Sequence, residues 1–108
     1  MKILIDADGC PVVDLTLQAA AEHGLEAILF CDTSHEFKEK NARVVTVDKG
    51  SDSADFALIR QVKPGDIVVT QDYGLAAMVL AKRGYPITQN GKRLTDANID
   101  TLLLTRHA

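Results

Sequence analysis

Six aspartates are spaced so that a fold could gather them. Asp6 and Asp8 are two residues apart, Asp52 and Asp55 are three apart, and Asp48 and Asp72 each follow an apolar run. Carboxylates held together repel one another, so either some take up protons or a cation neutralises them. Oxygen donors without His or Cys suit Mg²⁺, Mn²⁺ or Ca²⁺ rather than zinc. Such ions can activate a water and stabilise the leaving oxygen of a phosphodiester. These residue types therefore point to a Mg²⁺ or Mn²⁺ carboxylate site.

The elements that must position them follow from pattern. Ile3-Leu4-Ile5 reads as a strand buried on both faces and ends at Asp6. Pro11 suits the first turn of a helix over Val12–His23, with Gly24 as its stop. Ala27–Phe30 is a second strand, Asp32–Asn41 a polar loop, and Val44–Val47 a third strand that leads to Asp48. A helix from Ser51 or Asp52 runs to about Val62 and is broken by Pro64-Gly65. Ile67–Thr70 is a fourth strand ending at Gln71-Asp72, followed by a helix from Tyr73 to Arg83 with Gly84 as its stop. Pro86–Thr88 is a short fifth strand, Asn90-Gly91 a tight turn, and Thr95 the cap of a last helix through Leu104.

Strands alternating with helices predict a single three-layer α/β domain with a mostly parallel sheet of four or five strands. Sites in such sheets form beyond the carboxyl ends of the strands. Asp6, Asp48 and Asp72 all fall on that edge, and Asp6 and Asp72 are expected at neighbouring strand ends. Asp66 stands at the start of its strand and belongs to the opposite edge, so it is excluded. Asp52, Asp55, Ile59 and Val62 share one helix face, which turns Asp55 inward at the site end.

Plain structural roles compete with this reading. Asp52 and Asp8 serve equally well as helix caps, Asp55 as a first-turn acid, and Asp72 as the cap of the helix at Tyr73. Capping does not explain why Asp6 and Asp72 both close apolar strands on one edge. Ser53 and Thr70 are candidates for binding substrate phosphate or water, and each also suits a local turn. Cys10 lies near the site but reads as a small buried thiol. His23, His35 and His107 are isolated from the acids and expected in solvent. Lys82-Arg83 and Lys92-Arg93 are candidates for phosphate contact or for solvated faces. No G-x-x-x-x-G-K phosphate loop is present.

Composition narrows the function classes. The 108 residues suit one domain, 46% hydrophobic content supplies a core, and Trp is absent, which disfavours an aromatic stacking platform. A formal net charge of −3 excludes gripping a nucleic-acid backbone by charge alone. No apolar run is long enough for a membrane span, and the two cysteines form no disulfide framework or zinc motif. A reduced, cytoplasmic protein is expected, with a homodimer left open.

Several motifs resemble one family. Ile5-Asp6-Ala7-Asp8-Gly9-Cys10-Pro11-Val12, Gly50–Asp55, Gly65–Ala76 and Asn90-Gly91-Lys92 with Thr95–Ile99 resemble the YaiI/YqxD family of uncharacterised bacterial proteins, in the same order and over nearly the whole chain. Relatives commonly continue beyond the position of Asn98-Ile99. That family is similar in turn to PIN-like domains, metal-dependent nucleases with a parallel sheet. The resemblance implies Asp6 as the first acid, Asp55 as the helical one and Asp72 as the later one. Asp8 or Asp52 would assist with the metal, and single-stranded RNA would be favoured over DNA. Two other functions compete. Asp6-Ala7-Asp8-Gly9 resembles the D-x-D-G start of haloacid-dehalogenase-like phosphatases, with Asp6 as nucleophile and Asp8 as acid. A non-catalytic metal- or protein-binding module is the third.

Overall fold

A computed structural model gives the structure of residues 1–7, 10–31, 42–47 and 53–105, with the backbone alone at Ser53 and residues 102–105. Its elements are β1 (Lys2–Asp6), α1 (Val13–Glu22), β2 (Glu26–Cys31), β3 (Arg43–Thr46), α2 (Ser53–Gln61), β4 (Ile67–Val69), α3 (Tyr73–Ala81), β5 (Tyr85–Ile87) and α4 (Asp96–Thr105). The expected loop 32–41 lies outside the described residues.

The five strands form one sheet in the order β3-β2-β1-β4-β5, and every strand pair is parallel. The chain steps outward from β1 through β2 to β3, then crosses back to the far side of β1. Crossovers between parallel strands are right-handed, so reversing direction moves the connecting helices to the other face. The packing follows that rule. Val13 and Ala20 of α1 cover Ile3, Ile5, Leu29, Cys31 and Val69. Ala57 and Leu58 of α2 and Val62 just after it, with Leu75 and Val79 of α3, cover Leu4, Ile28, Phe30 and Val68. Each inner strand is thus buried on both faces, which is why it reads as a continuous apolar run.

Helix α3 carries no charge because it is enclosed on two sides. It packs on the sheet and, through Ala76, against Leu94 and Ile99 of the α4 region. Asn98 Oδ1 accepts the Thr95 N–H at 2.8 Å, and the Thr95 carbonyl accepts the Asn98 and Ile99 amides, which starts α4 where the sequence placed it.

Two helix ends depart in detail. Gly24 takes a φ of +67° after α1, as a C-terminal glycine should. After α3 it is Arg83 that takes the left-handed conformation, with φ +65°, while Gly84 serves a different need. A Cβ on Gly84 would stand 2.7 Å from Val79 Cγ1 and 3.2 Å from the Asp66 carbonyl oxygen. The chain uses its glycine where two backbones meet. Among the described residues, no helix is long and apolar enough to cross a membrane.

Candidate functional site

Asp6 is the last residue of β1, and Thr70 follows directly on β4. The β1–β4 register pairs Ile3 with Ile67, Leu4 with Val68 and Ile5 with Val69, so the next rung sets Asp6 beside Thr70. Strand alternation turns both toward the face covered by α2 and α3, the face of Leu4 and Val68. Thr70 Oγ1 donates to Asp6 Oδ2 at 3.0 Å and accepts the Asp72 N–H at 3.0 Å. Thr70 is 1% exposed, so its hydroxyl serves these two partners within the protein.

Asp72 is the N-cap of α3. Its Oδ1 accepts the amides of Gly74 at 2.9 Å and Leu75 at 3.2 Å. The capping role anticipated for Asp72 is therefore real, and it fixes the carboxylate next to the Asp6–Thr70 pair. Gln71, not singled out from sequence, accepts the Gln89 N–H on its side-chain oxygen at 2.9 Å and ties the end of β5 to this corner. A lone Gln after a strand carries no signal by which sequence could have marked it.

This corner lies where the topology reverses. The connection from β1 leaves on one face toward β2, and the connection from β4 leaves on the other face toward β5. In open α/β sheets, binding sites are usually found beyond strand ends where the connections diverge in this way.

The remaining candidates stand as follows. Asp55 is half-buried in the first turn of α2, on a stripe with the buried Leu58 and Val62; Ile59, expected on the inward face, is only partly buried. Among the described residues, no three of His, Cys, Asp or Glu stand close enough to hold a metal ion. Asp8, Asp48, Asp52 and the side chain of Ser53 lie outside the described residues. Cys10 is half-buried beside the site. Burial pushes its thiol upward, the Val12 amide pulls it partly back, and the nearby Asp6 carboxylate pushes it further up. It therefore stays a protonated, weakly nucleophilic thiol at neutral pH. Cys31 is buried and, like Cys10, free.

Of the cation pairs, Lys82-Arg83 lies at the opposite edge, while Lys92 stands at the carboxyl edge, its backbone paired to Thr88 just past the end of β5. Lys82 donates to the Ile59 carbonyl at 2.7 Å, joining the far ends of α2 and α3. Arg93 stacks 4.7 Å over the ring of Tyr85, at the start of β5. His23 is exposed, with Nδ1 2.8 Å from the Ala19 carbonyl oxygen, while His35 and His107 lie outside the described residues. Asp66 sits at the opposite edge, as its position in the sequence required. It is buried, pairs with Lys2 Nζ at 2.5 Å, and accepts the amides of Lys2 and Lys63.

The chain matches the family described as "Uncharacterized BCR, YaiI/YqxD family" over residues 4–108. It belongs to the YaiI/YqxD family. It is 56% identical over 107 residues to a UPF0178 protein of Exiguobacterium sibiricum, covering 99% of this chain and 73% of that one. UPF0178 proteins of Ruminiclostridium cellulolyticum and Alkaliphilus oremlandii are 52% and 50% identical over the same length, covering 70% and 69% of those proteins. No solved structure matches the chain significantly. These relatives share a family designation, and their names state no activity.

Proposed function

We propose that this YaiI/YqxD family member is a Mg²⁺- or Mn²⁺-dependent phosphodiesterase acting on single-stranded RNA, with Asp6 and Asp72 as its central carboxylates. The observation that carries the reading is the Thr70 hydroxyl, which ties Asp6 Oδ2 to the Asp72 backbone at the topological switch point. The resemblance to PIN-like domains supports the same residues, with Asp55 as the third acid.

Two carboxylates fit this cation. Mg²⁺ is commonly held by one or two carboxylates together with substrate phosphates, and does not need a cage built wholly from protein. Bound there, the ion would supply Lewis acidity to a phosphoryl oxygen and lower the pKa of a water. The chain's own contribution is positional. Thr70 orients Asp6 through one hydrogen bond, and the first turn of α3 orients Asp72 through two amides. With a formal net charge of −3, the protein would depend on the cation to bring in a phosphate backbone.

The test compares melting curves of the parent, Asp6→Asn and Asp72→Asn with and without Mn²⁺, then follows cleavage of labelled single-stranded RNA. A Mn²⁺-dependent rise in Tm and RNA cleavage, both lost in the two variants, is the expected result. A parent that gains no stability from Mn²⁺ even with RNA present would end this reading. Cleavage of a small phosphate monoester through a phosphorylated Asp6 would assign the corner to a phosphatase instead.

A further inference from the structure

The strand register extends the Asp6–Thr70 rung beyond β4. Val69 pairs with Ile87, so the rung that sets Asp6 beside Thr70 sets Thr88 on the other side of Thr70. After Ile87 the chain turns through Asn90-Gly91 and comes back antiparallel to β5, with Arg93 opposite Ile87. Lys92 is therefore opposite Thr88. Its carbonyl accepts the Thr88 N–H at 2.9 Å, and its own N–H donates to Thr88 Oγ1 at 3.1 Å. Asp6, Thr70, Thr88 and Lys92 thus form one row across the carboxyl edge.

Alternation gives that row a common face. Leu94 donates its N–H to the Pro86 carbonyl at 2.9 Å and is buried with Ala76 of α3. Lys92, two residues earlier, falls on the same face as Leu94, Thr88, Thr70 and Asp6. Arg93, between them, goes to the other face and stacks on Tyr85. Strands about 4.8 Å apart put the Lys92 backbone about 10 Å from that of Thr70. The position is braced. Gly91, at φ +82°, donates its N–H to the Thr88 carbonyl at 2.9 Å, and the Gln71–Gln89 hydrogen bond ties the start of the turn to β4.

Charge singles out the same residue. Among the described residues, the cations outside this turn stand at the amino edge: Lys2 and Arg43 begin strands, Arg60 and Lys63 lie at the end of α2, and Lys82 and Arg83 follow α3. Lys92 is exposed at the carboxyl edge, on a long flexible stem that suits a phosphate as a point charge. A protein of formal net charge −3 needs such a local cation to hold a second phosphate. We infer that Lys92 binds a neighbouring phosphate of the chain whose phosphodiester lies at the Asp6–Asp72 corner, so that the site takes a polynucleotide in preference to a dinucleotide or a phosphate monoester. This rests on the function proposed above and names the substrate class within it.

Cleavage of labelled single-stranded RNA in Mn²⁺ over a salt series tests it, with the parent, Lys92→Met and Lys63→Met. The last removes an equally exposed cation at the amino edge. On a hexanucleotide, Lys92→Met is expected to lower kcat/KM roughly fivefold at low salt, through KM. Its log–log dependence on salt should flatten by about 0.7, the value of one phosphate contact on a single strand. On a dinucleotide, whose one phosphodiester occupies the corner, Lys92→Met should match the parent. Lys63→Met should match it throughout, and all three proteins should show the same Mn²⁺ shift in Tm. If the parent cleaves RNA and gains stability from Mn²⁺ while Lys92→Met keeps the parent's salt slope and preference for the longer chain, this inference fails and the proposed function stands. An equal loss on both substrates also overturns it, since the effect would then not come from a second phosphate. A parent that cleaves no RNA overturns both.

Discussion

Thr70 donates its hydroxyl hydrogen to Asp6 and receives the Asp72 amide on the same oxygen, so one buried side chain joins the two acids across β1 and β4. Thr70→Val keeps the shape and removes both hydrogen bonds. It is expected to cost about 1–3 kcal/mol, because buried polar groups lose their partners. Thr70→Ser keeps the hydroxyl and should recover most of the loss. Urea unfolding of the three proteins measures this. A Val variant as stable as the parent, with the Ser variant less stable, would show that the methyl group, not the hydroxyl, matters here.

Capping and charge can be separated at Asp72. Asn caps a helix about as well as Asp, while Ala does not. Asp72→Ala should therefore lose about 1 kcal/mol, and Asp72→Asn only a few tenths. On the proposed function, both lose the Mn²⁺ stabilisation, since neither keeps the charge. Thermal melts of the two variants with and without Mn²⁺ give the comparison. An Asn variant that keeps the full Mn²⁺ shift would reduce Asp72 to a cap.

The order of elements and the edge on which the acids fall were legible in the sequence, because apolar runs and their polar terminators are local signals. Asp66 illustrates this: its place before Ile67 sufficed to assign it to the far edge. Asp6 and Asp72 were expected at neighbouring strand ends, and β4 does pair with β1. The rest of the strand order was not legible, because no local pattern records which strand lies beside which. Asp48 and Asp72 each follow an apolar strand, but β3 is the edge strand, with β2 between it and β1. The Thr70 hydrogen bonds were hidden, because they depend on the rung-by-rung register of β1 and β4.

Arg83 and Gly84 make a paired prediction. Gly84→Ala places a Cβ 2.7 Å from Val79 Cγ1 and 3.2 Å from the Asp66 carbonyl oxygen, so it should destabilise by about 1–3 kcal/mol. Arg83→Gly relieves a left-handed non-glycine residue and should be neutral or stabilising by up to about 1 kcal/mol. Swapping the two positions would restore the glycine at the left-handed residue and still fail, because the contact at 84 forbids a side chain. Chemical denaturation of the two single variants and the swap tests this. A tolerated Gly84→Ala would mean that Val79 moves aside at little cost.

The Lys2–Asp66 pair predicts a pH dependence of known sign. Burial alone would raise the Asp66 carboxyl, but the Lys2 ammonium and the amides of Lys63 and Lys2 together hold it below its ordinary value. A carboxylate whose pKa is depressed on folding stabilises the fold above its unfolded pKa, near 3.9, and loses that contribution as pH falls through the lower folded value. Asp66→Asn removes the charge and leaves the Lys2 ammonium without its partner, at a cost of about 3 kcal/mol at neutral pH. The stability difference between parent and variant should therefore be constant from pH 7 to about 5 and shrink below about 4. Lys2→Met should also destabilise at neutral pH, but less, because the two amides still serve the carboxylate. Unfolding free energies of the three proteins, measured over this range, decide the matter. A difference that grows on acidification would mean that the Asp66 carboxyl is raised on folding, and that burial outweighs its three donors.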